Sequence, residues 1–437
     1  MKKIIALLMA LCMVFALCAC GGSQAPAATE APAAEAPAAE APAAEANPYA
    51  DVKLGFIFLH DENSTYDLNF MNAAKEACAN LGLTEDQYIF RTNIPESEEC
   101  YEAACELADE GCNIIFADSF GHEPYMIDAA KENPDVQFCH STGTRAHTEG
   151  LANYHNAFAS IYEGRYLAGI AAGMKLNEMI EAGKFTAEEA KMGYVGAFTY
   201  AEVVSGYTSF YLGAKSVCPT VTMEVTFTGS WYDETLEKTG AELLIDRGCK
   251  LISQHADSFG APTACQNAGV PNVSYNGSTK NVGADTYIIS SRIDWAPYYE
   301  YAIKAVMNGT AIDADWTGTL ATGSVVLEEL NTDVAAAGTA EAIEAAKAKL
   351  ESGELHVFDV STFTTKADDT MNTFKVDFLK VDENGHITSY LADVDTDEAY
   401  TGDTEVVHDG YFAESEKRSA PYFDLQIDGI ELLNTAM

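Results

Sequence analysis

Apolar residues along this chain follow two alternating rhythms. Residues 53–59 are almost continuously apolar, the mark of a strand covered on both faces. Leu68, Met71, Ala74, Cys78 and Leu81 then recur at helical spacing. The pattern continues with a strand at 88–91 and a helix from the N-cap Ser97 to a stop at Gly111. A strand at 113–117, a helix near 124–131 and a strand at 136–140 follow. Strands alternating with helices imply a parallel, doubly wound sheet. Residues 156–177 read as a helix rich in small residues, including Gly164, Ala168, Gly169 and Gly173, which permit close packing. A second half-sheet runs from Lys191 to about Ile289. Residues 287–295 read as a return to the first half, and 303–307 as part of a further helix. Beyond Gly309 the rhythm weakens, but 374–378 and 387–390 flank Asp382-Glu383-Asn384-Gly385 as a hairpin.

The two halves repeat each other. Gly111-Cys112-Asn113-Ile114-Ile115-Phe116 before Ala117-Asp118-Ser119-Phe120-Gly121 is answered by Gly248-Cys249-Lys250-Leu251-Ile252-Ser253 before Ala256-Asp257-Ser258-Phe259-Gly260. Lys53-Leu54-Gly55-Phe56-Ile57 is answered by Lys191-Met192-Gly193-Tyr194-Val195. The offsets, 137 (248 − 111) and 138 (191 − 53), are too long for a solenoid repeat and too steady for coincidence. They predict a duplicated α/β domain, two lobes facing each other across a cleft. The expected division is lobe 1 over 51–155 with a return near 287–310, lobe 2 over 156–290, and 311–437 completing the lobes and adding a surface hairpin.

Before the lobes, Lys2 and Lys3 precede an apolar run of signal-peptide length, too short to span a bilayer. It ends in Leu17-Cys18-Ala19-Cys20-Gly21-Gly22, which resembles a bacterial lipobox. Residues 1–19 are therefore expected to be removed and Cys20 to carry lipid, anchoring the protein at the extracytoplasmic face of the cell membrane. Residues 20–49, with Ala-Pro-Ala-Ala-Glu repeated three times, read as a solvated tether unable to form a core.

A net charge of −42 argues against nucleic acid and against docking on anionic lipid. The six arginines, none adjacent in sequence to another, argue against a phosphorylated ligand and leave a neutral small molecule as the better fit. Eight cysteines between Cys78 and Cys265 show no C-x-x-C spacing, so zinc is not expected. Cys112 and Cys249, at the repeated place before a strand, suit a small core residue. Asp393, Asp395 and Asp397 imitate the start of a calcium loop, but Glu398 stands where glycine is needed and Thr404 where glutamate is needed. They read as a solvated acidic loop.

In open α/β sheets ligands bind beyond the carboxyl ends of the strands. That rule selects the loops holding His60–Tyr66, Asp118–His122, Phe198–Tyr200, Trp231–Asp233, His255–Ser258 and Asn276. Aromatics beside single polar groups suit a flat, neutral, hydrogen-bonding ring. Rival roles exist: Asp118 and Asp257 as helix caps, Trp231 as a packing residue, Asn276 as a turn residue, and His60, His122, His140 and His255 as a metal set, although none of these histidines has i, i+4 spacing. No G-x-S-x-G elbow, phosphate-binding glycine loop or H-E-x-x-H motif is present, so no enzyme and no cofactor is expected.

Several motifs together resemble one family. They are Ile161-Tyr162-Glu163-Gly164-Arg165-Tyr166-Leu167-Ala168-Gly169, Gly193-Tyr194-Val195 with Glu202-Val203-Val204, Leu212-Gly213-Ala214, Trp231-Tyr232-Asp233, Gln254-His255-Ala256-Asp257-Ser258, Trp295 with Pro297-Tyr298-Tyr299, and Gly353-Glu354-Leu355-His356-Val357-Phe358. Over residues 51–360 the chain resembles the basic membrane protein family of ABC-importer substrate-binding lipoproteins, which includes purine-nucleoside receptors. The resemblance implies a type I periplasmic-binding fold, with two Rossmann-like three-layer lobes joined by three crossovers. It also implies a purine nucleoside or base as ligand and an ABC permease as partner. Onto this sequence it maps Tyr66, Ser119, Phe120, Trp231, Asp257, Asn276 and Trp295 as ligand-binding residues. Two places depart from the family pattern: Asn63-Ser64-Thr65-Tyr66 replaces Asp-x-Ser-Phe-Asn, and Asn276 stands where some members carry a ribose-binding aspartate. Nucleoside and nucleobase both stay open, as do a flavin, a sugar, and a nucleoside-cleaving enzyme using Asp118 and Asp257.

Overall fold

A computed structural model describes residues 48–369, 371–394 and 404–437, apart from the side chain of Phe374. Cys20, the signal peptide, nearly all of the tether, and Asp395, Asp397 and Glu398 lie outside the described residues.

The first lobe is a parallel sheet built from β1 (Leu54–Ile57), β2 (Tyr88–Arg91), β3 (Ile114–Ala117), β4 (Gln137–Ser141) and β5 (Tyr154–Ala159). Interleaved with these are α1 (Thr65–Asn80), α2 (Glu98–Asp109) and α3 (Glu123–Glu132). Alternate side chains sort the layers. Phe56 and Phe116 face α1 through Phe70 and Ala74, whereas Ile57 and Ile115 face α2 and α3 through Leu107 and Met126. A strand buried on both faces needs an apolar residue at every position, which is why 53–59 reads as continuous.

The second lobe repeats this. Its strands are β6 (Lys191–Gly196), β7 (Thr222–Phe227), β8 (Leu251–His255), β9 (Asn272–Tyr275) and β10 (Tyr287–Ile293). Its helices are α4 (Ile161–Glu181), α5 (Ala201–Val217), α6 (Glu234–Asp246) and α7 (Gly260–Ala268). The strand orders correspond: β5-β4-β3-β1-β2 in one sheet, β10-β9-β8-β6-β7 in the other.

Two boundaries differ from the sequence reading. Residues 154–159 form β5, so the helix starts at Ile161 rather than at 156. His155 and Asn156 obscure the strand because they are polar, yet both are buried and hydrogen-bonded. Residues 287–293 do not return to lobe 1. They form β10, hydrogen-bonded to β9 in the second sheet as β5 is to β4 in the first. The return comes one step later, where α8 (Ala296–Asn308) leads into β11 (Asp315–Gly318), which joins β5. β12 (Val325–Leu327) then goes back to β10. The chain thus crosses three times, near Ser160, near Asp294 and between Gly318 and Val325.

The small-residue helix has the expected use. A Cβ on Gly169 of α4 would lie 2.1 Å from the carbonyl oxygen of Phe210, and one on Gly213 of α5 would lie 2.0 Å from that of Tyr166. The two helices touch backbone to backbone. After α9 (Thr339–Glu351), the hairpin pairs β13 (Leu379–Val381) with β14 (Ile387–Ala392). Its first strand begins five residues later than the pattern suggests, because Thr373–Lys375 is a turn of 3-10 helix. The Asn372 side chain anchors that turn to the backbone of Gln426 and Lys366. A further strand, β15 (Ile430–Leu432), extends the second sheet beside β7. All eight cysteines of the lobes are unpaired.

Candidate functional site

The carboxyl ends of both parallel sheets point at one another, and a small, tight cavity lies between them. Lobe 1 lines it with Leu59, Tyr66, Asp67, Ser119, Phe120 and Thr142. Lobe 2 lines it with Glu202, Trp231, His255, Asp257 and Asn276. Six of the seven sequence-mapped residues therefore meet in one place: Tyr66, Ser119, Phe120, Trp231, Asp257 and Asn276. The lobes are in contact around it. The backbone N–H and the hydroxyl of Thr65 both donate to the Asp257 carbonyl, at 2.9 and 3.0 Å. Phe120 stacks on Tyr200 across the gap, with centroids 5.2 Å apart.

Trp295 is the exception. It is 1 % exposed and lies outside the cavity, stacked on Phe70 at 4.4 Å and edge-on to Phe158 at 6.1 Å. Its place just after β10 turns it into the core at a crossover rather than toward the cleft.

Aromatic rings form the walls. Trp231 stands edge-on to Phe198 at 5.0 Å, and Phe198 stacks on Tyr200 at 5.2 Å. The Tyr66 hydroxyl donates to the Asp118 carbonyl at 2.7 Å, which fixes its ring beside Phe70. The loop holding Ser119 and Phe120 is pinned from behind by Glu96, which accepts from the Ser119 hydroxyl at 2.6 Å and the Gly121 N–H at 2.7 Å. Burial lowers His122 to about 4, so a neutral ring bridges this loop to the Ile94 carbonyl.

Acidic groups supply the polarity. Neither Asp118 nor Asp257 caps a helix. Asp118 Oδ1 accepts from the Leu59 N–H at 3.2 Å, and the helix after Asp257 has no side-chain cap. Burial, and next the Asp67 carboxylate, pushes Asp118 well above the usual carboxylate range. Burial works to raise Asp67 too, but hydrogen bonds from His60 and Ser64 outweigh it and hold Asp67 below its usual range. The charge of this pair therefore sits on Asp67, which faces the cavity. Asp118 does not line it. Burial, then Glu237, Asp67 and Glu202, pushes Asp257 well above the usual range. Asn276 Nδ2 donates to Asp257 Oδ1 at 3.4 Å.

Among the described residues no lysine or arginine lines this cavity. Arg165, a fully buried cation on α4, is occupied within lobe 2. It donates to the Ser274 carbonyl and to the Tyr194 and Ser253 hydroxyls, and it lies against the rings of Tyr194, Phe210 and Tyr275. Among the described residues no group of three or more His, Cys, Asp or Glu is arranged to hold a metal ion.

Thr142 was not singled out by the sequence, yet it is the lobe 1 counterpart of Asn276. The Thr142 N–H donates to the Ala157 carbonyl of β5, and the Asn276 N–H donates to the Ser291 carbonyl of β10, both at 3.0 Å. Both residues have positive φ, +73° and +64°. For a β-branched residue this is strained, and such strain concentrates at functional sites. The buried Thr142 hydroxyl has no partner in the protein. Asp67 and Glu202 are further lining residues that the sequence does not assign to the site, since each sits in the first turn of a helix rather than in the loop before it.

Comparison with known proteins places this geometry in context. The sequence profile of a family described as ABC transporter substrate-binding protein, PnrA-like (Bmp), matches residues 57–359. TsgA13 of Haloferax volcanii, named as an ABC transporter glucose-binding protein, is 32 % identical over 286 residues, covering 65 % of this chain and 68 % of its own length. A purine-binding protein of Brucella abortus is 32 % identical over 262 residues, covering 59 % and 70 %. Solved ABC-transporter solute-binding proteins from Conexibacter woesei and Aeropyrum pernix share the fold, with TM-scores of 0.55 and 0.60 at 22 % and 18 % identity. Their alignments cover 70 % and 75 % of this chain, and 98 % and 96 % of theirs.

Proposed function

Because the chain belongs to the PnrA-like family of ABC transporter substrate-binding proteins, we propose that it captures a purine nucleoside or nucleobase between its lobes and delivers it to a permease. In this reading lipid on Cys20 holds it at the extracytoplasmic face of the membrane. The observation that carries the ligand assignment is the composition of the cavity. Aromatic faces from both lobes (Phe120, Tyr66 and Trp231) surround a space whose polar groups are carboxyls, an amide, hydroxyls and a neutral imidazole, with no cation. Flat rings with N–H and ribose O–H donors satisfy such a site. An anionic phosphate would meet Asp67 and Glu202 with nothing to balance its charge.

Binding here is a mechanical event. The Thr65 contacts to Asp257 and the Phe120–Tyr200 stack join the two lobes across the cleft, so opening the lobes would have to break them. A nucleoside-cleaving reaction with Asp118 as acid or base is disfavoured, because Asp118 lies behind Leu59, off the cavity surface. A second reading, a hexose, is favoured by the Haloferax relative and by the fit of carboxylates to sugar hydroxyls. A thermal-shift panel of inosine, guanosine, adenosine, hypoxanthine and glucose tests the proposal. The expected result is stabilisation by purines and no free base released on incubation. Stabilisation by glucose alone would replace the purine reading with the sugar one.

A further inference from the structure

The chain runs well past the end of the family match at residue 359, and its last residues return to the cleft. β15 lays the chain along the outer edge of β7, and the residues after it continue toward the carboxyl end of that strand. Asn434 then takes the place of a further strand with its side chain. Its Oδ1 accepts from the Phe227 N–H at 2.8 Å, and its Nδ2 donates to the Phe227 carbonyl at 2.9 Å. The same Oδ1 accepts from the Thr226 hydroxyl at 3.2 Å. Two residues on, Ala436 makes a reciprocal pair with Thr199. The Thr199 N–H donates to the Ala436 carbonyl at 2.7 Å, and the Ala436 N–H donates to the Thr199 hydroxyl at 3.0 Å. Ala436 also faces Gly229, where a Cβ would sit 3.7 Å from its methyl.

These contacts fall behind the aromatic wall. Thr199 lies between Phe198 and Tyr200, and Gly229 lies two residues before Trp231. The loop after β6 and the loop after β7 are otherwise joined by backbone bonds from Thr228 to Gly196 and from Gly229 to Ala197, at the base of the loops. At the level of the rings, the described contacts between the loops are ring against ring: Trp231 with Phe198 and with Tyr200. Ring contacts alone leave rotation and sliding open, whereas two opposed hydrogen bonds, one to the Ala436 carbonyl and one to the Thr199 hydroxyl, fix one geometry.

We propose that residues 434–437 are a positioning element of the ligand site, clamping the Phe198–Tyr200 and Thr228–Trp231 loops so that the indole of Trp231 is held ready for the ligand. The tail touches no ligand. It acts by pre-organising the wall, so that less freedom is lost on binding. The proposal rests on the cleft being the ligand site, whichever neutral ligand fills it.

Two variants test it: a chain ending at Leu433, and Thr199→Val in the full-length chain, which removes the acceptor for the Ala436 N–H while keeping the side-chain shape. Each is titrated with inosine and, separately, with glucose. Acrylamide quenching of Trp231 without ligand is read as the difference from the matching Trp231→Phe protein. Both variants should bind about two- to tenfold more weakly, the scale of one lost positioning hydrogen bond. Quenching of Trp231 should rise, and circular dichroism should stay as in the parent. Unchanged affinity and unchanged quenching in Thr199→Val overturn the proposal, and that variant decides alone if the shortened chain does not fold. Should the full-length chain bind neither compound, the ligand reading of the cleft falls, and the quenching comparison by itself decides whether the tail holds the wall.

Discussion

Trp231 and Trp295 belong to the same family-like set of motifs, yet the structure gives them opposite duties. Replacing each by alanine separates the two. Trp295 is 1 % exposed and fills a gap between Phe70 and Phe158. Removing a buried indole takes away its burial energy and leaves a cavity, which together cost about 3–5 kcal/mol of stability. Trp231 is only partly buried, and its ring contacts are edge-on or tilted. Its loss should cost stability no more than about 1 kcal/mol, the scale of one aromatic pair. For binding the order reverses. If the indole stacks on the ligand ring, Trp231→Ala loses about 1–3 kcal/mol, or roughly fivefold to 150-fold in dissociation constant. It should also abolish most of the fluorescence change on titration. Urea unfolding and calorimetric titration of both variants give the four numbers. A Trp231→Ala protein that binds as wild type would refute the placement of the wall. So would a Trp295→Ala protein that keeps its stability and loses its ligand.

Three further outcomes are expected. Gly169→Ala would put a methyl 2.1 Å from the backbone oxygen of Phe210. Helices α4 and α5 must then separate, with a loss of about 1–3 kcal/mol or more in urea unfolding, whereas an unchanged midpoint would contradict the backbone contact. Burial raises Glu163 and Glu237 to about 7 and Glu414 to about 8. A raised carboxyl contributes stability that is full below the unfolded value, about 4.3, and is lost as pH climbs through the folded value. Burial lowers His122 and His155 to about 4, an effect of opposite sign that is complete by about pH 6.5. The melting temperature of the ligand-free protein should therefore fall between pH 6.5 and 8.5, and Glu414→Gln should flatten the fall. A rise over that range would contradict the assignment. Cys20→Ala should stop palmitate incorporation and leave the precursor uncleaved; labelled lipid on that variant would remove the anchor.

Much of this was legible before the structure. The steady offset between repeats fixed the two lobes, because a parallel strand buried on both faces writes an unbroken apolar run that survives duplication. The rule that ligands lie beyond strand carboxyl ends selected the loops, and the family resemblance mapped onto them six residues that line one cavity. The failures have physical causes. β5 was hidden because His155 and Asn156 are polar, and only the folded chain shows them satisfied. β10 was assigned to the wrong lobe because nothing local distinguishes a strand that stays from one that crosses. Thr142 carries no chemical signal of its own; aligning it with Asn276, its partner by hydrogen-bond register, would have found it. The C-terminal tail lies outside the repeat, so no pattern linked Asn434 to Phe227 across 207 residues.

A cleft built for a neutral purine compound should bind one that carries no phosphate. Isothermal titration of the purified protein with inosine, run beside glucose and beside inosine monophosphate, tests it most directly. Inosine should bind saturably with little dependence on salt, since a neutral ligand releases no counterions, and the phosphorylated form should not bind. Saturable binding of glucose with none of inosine, or tighter binding of the monophosphate, would contradict it.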